Sequence, residues 1–260
     1  MRNYPDLPHD FPGQNTELTP AKAPVWMHRL LDRIYTGRMT NPLDGAETLG
    51  DTDSEKRAAV LMLFSGSETS FDLPNDASVL LTHRTPTMRS HAGQIAFPGG
   101  RIDPTDTNAV DCAFREAWEE TGLDRRTATP LAQLNEVHIR ATGYPVYPIL
   151  GHWHTPSPVA VASPHETDEV FDAPLYDLID PKNRLMVGWR EWHGPAFRIN
   201  DYIIWGFTGG LLSAILDTAG WATEWDTDRI FDLENTLSTS RNNERMRWAD
   251  GLRWPKIEAI

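Results

Sequence analysis

The chain has 260 residues, 40% of them hydrophobic, which is enough for one sizeable core with terminal extensions to spare. A net charge of −13 argues against a nucleic-acid-binding surface, and one cysteine, Cys112, excludes an internal disulfide. No apolar run is long enough to span a bilayer and no basic-then-apolar leader opens the chain, so the expected setting is a reducing cytoplasm with no membrane partner.

Residues 1–23 are rich in Pro, Asn and Asp and read as a loosely ordered arm. Trp26, Met27, Leu30, Leu31 and Ile34 keep helical spacing and predict an amphipathic helix over 25–35. A polar connection follows over 41–56. The apolar runs 58–64 and 78–83 have strand length. A helix is expected over 108–121. Two more strands, 131–139 and 144–152, are joined through Ala141, Thr142 and Gly143, and 170–175 and 185–187 are weaker strand candidates. Phe207, Leu211, Leu212, Ile215 and Leu216 predict a helix over 205–219. A central mixed sheet with a helix layer on each side is an α/β/α sandwich, with its domain at 24–222. The extension 223–260 has no long apolar period. It is expected to pack partly on the domain or on another subunit, which leaves a homodimer open.

The stretch 115–123 carries the chemistry. On a helix advancing roughly 100° per residue, Glu116, Glu119 and Glu120 fall within an arc of about 100°, where like charges weaken the helix. A hard divalent cation, Mg²⁺ or Mn²⁺, removes that penalty because it favours carboxylate oxygens. Val110, Ala113, Phe114 and Ala117 form the inward face. Ala109 and Cys112 lie beside the carboxylates and are small enough to let a ligand approach. Arg115 stands four residues before Glu119 and can brace it, and Gly122 is placed to end the helix. Upstream lie the turn Phe97-Pro98-Gly99-Gly100 and an acidic loop with Asp103 and Asp106. A Gly-rich turn, an acidic loop and a Glu-clustered helix together read as a site for a cation and phosphate.

Residues 100–123 resemble the Nudix box, the loop-helix signature of Nudix hydrolases. The half from Arg115 to Leu123 is complete. In the first half Asp106 stands where the family has glutamate, and one extra residue precedes Arg115. Leu80-Leu81-Thr82-His83-Arg84, followed by Arg89, Gly93 and Phe97-Pro98-Gly99-Gly100, resembles the segment before the box in coenzyme A pyrophosphatases, with Thr85 as a mismatch. The segment 204–208 resembles the start of that subgroup's last helix.

The resemblance implies a Nudix fold and metal ligation by Glu116, Glu119 and Glu120, with a main-chain carbonyl near Gly99 or Gly100. Glu119 is either a ligand or a base, and Glu166 resembles the subgroup's loop glutamate before a strand, a second catalytic candidate. Arg84 and Arg89 are candidates for the substrate's phosphates, since guanidinium groups pair well with phosphate oxygens. His91, Gln94 and Arg101 are near enough in sequence to line the cleft. Asp168 and Glu169 read as solvated. His152 and His154 lack the partners of a zinc site. The implied activity is metal-dependent hydrolysis of coenzyme A or acyl-CoA to (acyl-)4′-phosphopantetheine and adenosine 3′,5′-bisphosphate. Its rivals are a pyrophosphatase for another small nucleoside diphosphate derivative, such as ADP-ribose or NADH, and a non-catalytic nucleotide-sensing domain.

Overall fold

In the computed structural model, residues 9–39, 57–138 and 145–244 are described. The connection 41–56, the turn 141–143, the segments 1–8 and 245–260, and the outer ends of the expected strands at 139 and 144 lie outside them.

The elements in order are α1 (His28–Tyr35), β1 (Ala58–Ser65), β2 (Ser78–Arg84), β3 (Ile95–Ala96), β4 (Gly99–Arg101), α2 (Ala109–Thr121), β5 (Thr129–Gln133), β6 (Val137–His138) and β7 (Pro145–His152). They continue with β8 (Thr167–Pro174), α3 (Leu175–Ile179), β9 (Arg184–Trp189), β10 (Trp192–Ile199), β11 (Tyr202–Ile204), α4 (Gly206–Ala219), β12 (Ile230–Asp232) and α5 (Leu233–Ser238).

The main sheet runs β3-β2-β1-β7-β5 and is mixed: β1 is parallel to β7 and antiparallel to β2 and β4. Side chains alternate across a strand, and β1 shows why this makes a sandwich. Ala59, Leu61 and Leu63 pack with Val110, Ala113, Phe114 and Ala117 of α2. Met62 and Phe64 turn the other way, into a cluster with Leu30 and Leu31 of α1 and Leu211, Leu212 and Ile215 of α4. The fold is therefore the expected α/β/α sandwich, with the carboxylate helix as one outer layer.

Several boundaries differ from expectation for local reasons. The first helix opens as a 3₁₀ turn, Val25–Met27, before α1. The strand expected over 131–139 is split into β5 and β6. Gln133 lies opposite Ile149 but Val137 opposite Val146, so one residue bulges between them. Pro148 faces this bulge. It has no N–H for the ladder, and its carbonyl accepts from Leu134 N at 2.9 Å. The candidate at 170–175 becomes β8, which starts three residues earlier because its backbone pairs along the whole of β2, and ends one residue sooner because Leu175 opens α3.

A second sheet, β11-β10-β9-β12, is signalled in the sequence only at 185–187. Its β9–β10 hairpin turns at Arg190, whose φ is 58°. Residues 230–238 of the extension pack on this domain: β12 lies parallel to β9, and Leu233 and Leu237 join Leu185, Val187, Ala196 and Ile203.

Residues 9–23 are fastened to the domain by Arg125, which is 1% exposed. Its guanidinium donates to Asp10 Oδ1 at 3.0 Å, to Asp111 Oδ1 at 2.5 Å and to the Gln14 carbonyl at 3.1 Å. Burial pushes the Asp111 carboxyl up, and Arg125 with the N–H groups of Thr107 and Gly13 brings it back below its ordinary value.

Candidate active site

Helix α2 is held at both ends by local chemistry. The Asn108 side chain accepts from Asp111 N at 2.9 Å, and Gly122, at φ 74°, donates to the Trp118 carbonyl. With its apolar face on β1, the helix carries Glu116, Glu119 and Glu120 towards β4. Two glycines permit this approach. A Cβ on Gly99 would stand 2.4 Å from the Ala59 carbonyl oxygen, and one on Gly100 would stand 2.5 Å from the Glu116 carboxylate. The Gly99 N–H also donates to Glu120.

Arg115 organises the rim. It clamps Asp106 with Nε at 2.8 Å and Nη2 at 2.9 Å, and its Nη1 reaches Glu116 at 2.9 Å and Glu119 at 3.3 Å. The shortened acid at 106 therefore still meets the box arginine, because the loop has one residue more. Cys112 does not leave the expected opening. It is fully buried, and its thiol donates to the Arg101 carbonyl at 3.2 Å. Burial, with Asp106 and Glu116, drives its pKa far above the ordinary thiol range, so it is packing and not a nucleophile.

Glu120 lies deepest, at 3% exposure. Its Oε1 is 3.9 Å from Arg84, while its Oε2 has no hydrogen-bond partner among the described residues. Burial pushes its carboxyl up to about 8, with Glu116 and Glu166 adding to the shift and Arg84 opposing it. Burial pushes Glu116 up to about 7, opposed by Arg115 and reinforced by Glu119 and Glu166. The mutual coupling puts Glu116, Glu119, Glu120 and Glu166 in one electrostatic neighbourhood. Glu166 enters it from the residue before β8, where its carbonyl accepts from Thr85 N at 3.0 Å.

A buried Glu120 oxygen without a donor, coupled to Glu116, which burial likewise pushes towards neutrality, fits a divalent cation by its donor chemistry. Among the described residues no three such groups converge into a cage, and Arg115 pairs with both Glu116 and Glu119.

The substrate-side candidates divide. Arg84, at the end of β2, belongs to the carboxylate neighbourhood. His91 follows on the loop, where its Nδ1 lies 3.1 Å from Gln94 Oε1, and burial with nearby Arg84 lowers its pKa. Arg89 and Arg101 are exposed, and neither makes an ion pair with the carboxylates among the described residues. Asp168 and Glu169 are not simply solvated. Asp168 pairs with His83 at 2.5 Å, and Glu169 accepts from Tyr202 at 2.6 Å and Arg241 at 2.9 Å.

Residues 55–196 match the NUDIX domain family, more than half of the chain. The chain belongs to the Nudix hydrolase family. Among its Nudix relatives, "Nudix hydrolase 15, mitochondrial" of Arabidopsis thaliana is 35% identical over 62% of this chain, a match spanning 58% of that protein. The Nudix hydrolase NudL of Klebsiella pneumoniae is 33% identical over 52% of this chain and 71% of its own length. A Nudix hydrolase from M. smegmatis, RenU, aligns in structure over 46% of this chain and 71% of that chain, with 24% identity and a TM-score of 0.38. The Nudix match ends inside β10, so α4 and the segment up to Glu244 lie beyond it. Among the described residues no helix is long and apolar enough to cross a membrane.

Sequence reasoning missed Glu244. It accepts from Gln94 Nε2 at 2.7 Å and from Trp205 Nε1 at 2.9 Å. No local pattern marks it, because its partners lie 150 and 39 residues away.

Proposed function

We propose that this chain hydrolyses the pyrophosphate bond of coenzyme A or acyl-CoA, with Mg²⁺ or Mn²⁺, in a catalytic domain spanning 24–222 and in a cytoplasmic setting. One observation supports it above the rest: the Oε2 of buried Glu120 has no hydrogen-bond partner among the described residues, while its carboxyl is coupled to the acids Glu116 and Glu166 and to the cationic Arg84. A pure nucleotide binder has no use for that repulsive cluster. The choice of coenzyme A among pyrophosphate diesters rests on the motif from Leu80 to Gly100.

Glu116, Glu119 and Glu120 would hold the cation, which when bound would neutralise phosphoryl charge and lower the pKa of water. Arg84 pairs with a phosphate oxygen. Glu166 or Glu119 takes the proton from the attacking water. A new P–O bond forms from that water, the bridging P–O bond breaks, and the displaced phosphate leaves with its organic group.

Hydrolysis in ¹⁸O-water is expected to label 4′-phosphopantetheine or adenosine 3′,5′-bisphosphate. Label in a free fatty acid, or inorganic phosphate released from coenzyme A, would sink the reading. A parallel panel of ADP-ribose, NADH and dinucleoside polyphosphates ranks the competing substrates. Exposed Arg89 provides a second check. Arg89→Ala should lower kcat/KM for coenzyme A roughly ten- to a hundredfold, the value of a charge-assisted phosphate contact at about 1.5–3 kcal/mol. Metal affinity should hold. An unchanged kcat/KM removes Arg89 from the site.

A further inference from the structure

The segment Arg241–Glu244 lies outside the Nudix match yet closes on the substrate loop. Asn242 is clamped to Ile203: its Oδ1 accepts from Ile203 N at 2.7 Å and its Nδ2 donates to the Ile203 carbonyl at 3.0 Å. Its own carbonyl accepts from His83 Nε2 at 3.0 Å. Arg241 pairs with Glu169. The loop accommodates this through Gly93, at φ 79°, where a Cβ would stand 2.4 Å from the Asn242 carbonyl and 2.9 Å from the Glu244 backbone.

Glu244 sits at the head of a directed hydrogen-bond chain. Burial raises the Glu244 carboxyl above its ordinary value, and the bonds from Gln94 and Trp205 oppose that shift; ionised, the carboxylate only accepts, and an indole N–H only donates. Trp205 Nε1 donates to Oε2, so Oε1 must take a hydrogen from Gln94, which presents its NH₂ group. The Gln94 amide oxygen is then turned to His91, 3.1 Å from Nδ1. An amide oxygen accepts, so Nδ1 carries the hydrogen and Nε2 keeps its lone pair.

We propose that Glu244 is a positioning residue of the active site, which acts through Gln94 to fix His91 as its Nδ1–H tautomer. The consequence for substrate rests on the hydrolase reading above. His91 Nε2 meets an O–H or N–H of the substrate or of water. It does not donate to a phosphate oxygen, a task left to Arg84 and Arg89.

The test is ¹⁵N NMR of the full chain labelled on histidine, at about pH 8, where an imidazole of ordinary pKa ~6.5 is neutral. His91→Gln assigns the signal. Wild type is expected to show Nδ1–H at His91. Glu244→Gln, whose amide presents a donor to Gln94, should shift His91 to Nε2–H or to a mixture. The double exchange of Gln94→Glu with Glu244→Gln should restore Nδ1–H, because a carboxylate at position 94 accepts from both neighbours. Trp205→Phe leaves the Gln94 contact and should keep Nδ1–H. Nε2–H in wild type, or no change in Glu244→Gln, overturns the proposal. Because the spectra are taken without substrate or metal, they are independent of whether coenzyme A is the substrate. With coenzyme A as probe, Glu244→Gln should also raise KM about fivefold, the worth of one net hydrogen bond, with kcat nearly unchanged. A fall in kcat with constant KM would count against it.

Discussion

Glu120→Gln is expected to remove nearly all turnover while the fold survives. The substitution keeps the shape of a side chain packed at 3% exposure and deletes the charge that a cation needs there. Metal activation supplies several kcal/mol of transition-state stabilisation, so a loss of about a thousandfold in kcat or more should be read at saturating Mg²⁺. Wild-type-like rates would take Glu120 out of the site.

The same variant has an effect on stability with the opposite sign. In metal-free protein Glu116 and Glu120 are pushed up to about 7 and 8 from an ordinary 4.5, so the folded state holds more protons than the unfolded state between these values. Stability tied to them is complete below pH 4.5 and is lost as pH rises through 7 to 8. Thermal melts in a chelator should therefore fall across this window. Glu120→Gln should flatten the fall, and Mg²⁺ or Mn²⁺ should offset it in wild type by binding the ionised acids. A chelated wild-type melt that is flat over this window contradicts the account.

The second large effect lies away from the carboxylates. Arg125→Met should destabilise the protein by about 3–5 kcal/mol, because it leaves Asp10 and Asp111 buried without their cation. For a chain of this size that is a drop in melting temperature of roughly 10 °C. Residues 9–14 should also become cleavable by protease, since the Arg125 contacts to Asp10 and the Gln14 carbonyl hold them down, whereas Asn15 and Thr19 keep their own bonds to the Ala128 and Pro130 carbonyls. A melt within about 2 °C of wild type would show that the desolvation of Arg125 cancels its contacts.

The local features of this protein are written in its sequence. The apolar period of α2, its stop at Gly122 and its arc of acids depend on residues three to four apart, and so do the inward faces of α1 and α4. The cores of β1, β2 and β7 are short apolar runs that only a two-sided layer can bury, so the sandwich was legible too. Tertiary structure decided what depends on distant partners. β8 has no clean alternation and takes its length from pairing with β2. Most of the second sheet is set by backbone pairing that no local period encodes. Arg125 reads as one of two adjacent loop arginines until Asp10 and Asp111 arrive from either side. Glu244 reads as one acid in an acidic chain until chain closure sets it between Gln94 and Trp205. A carboxylate's role follows from which donors surround it, and those donors are assembled only when the chain has folded.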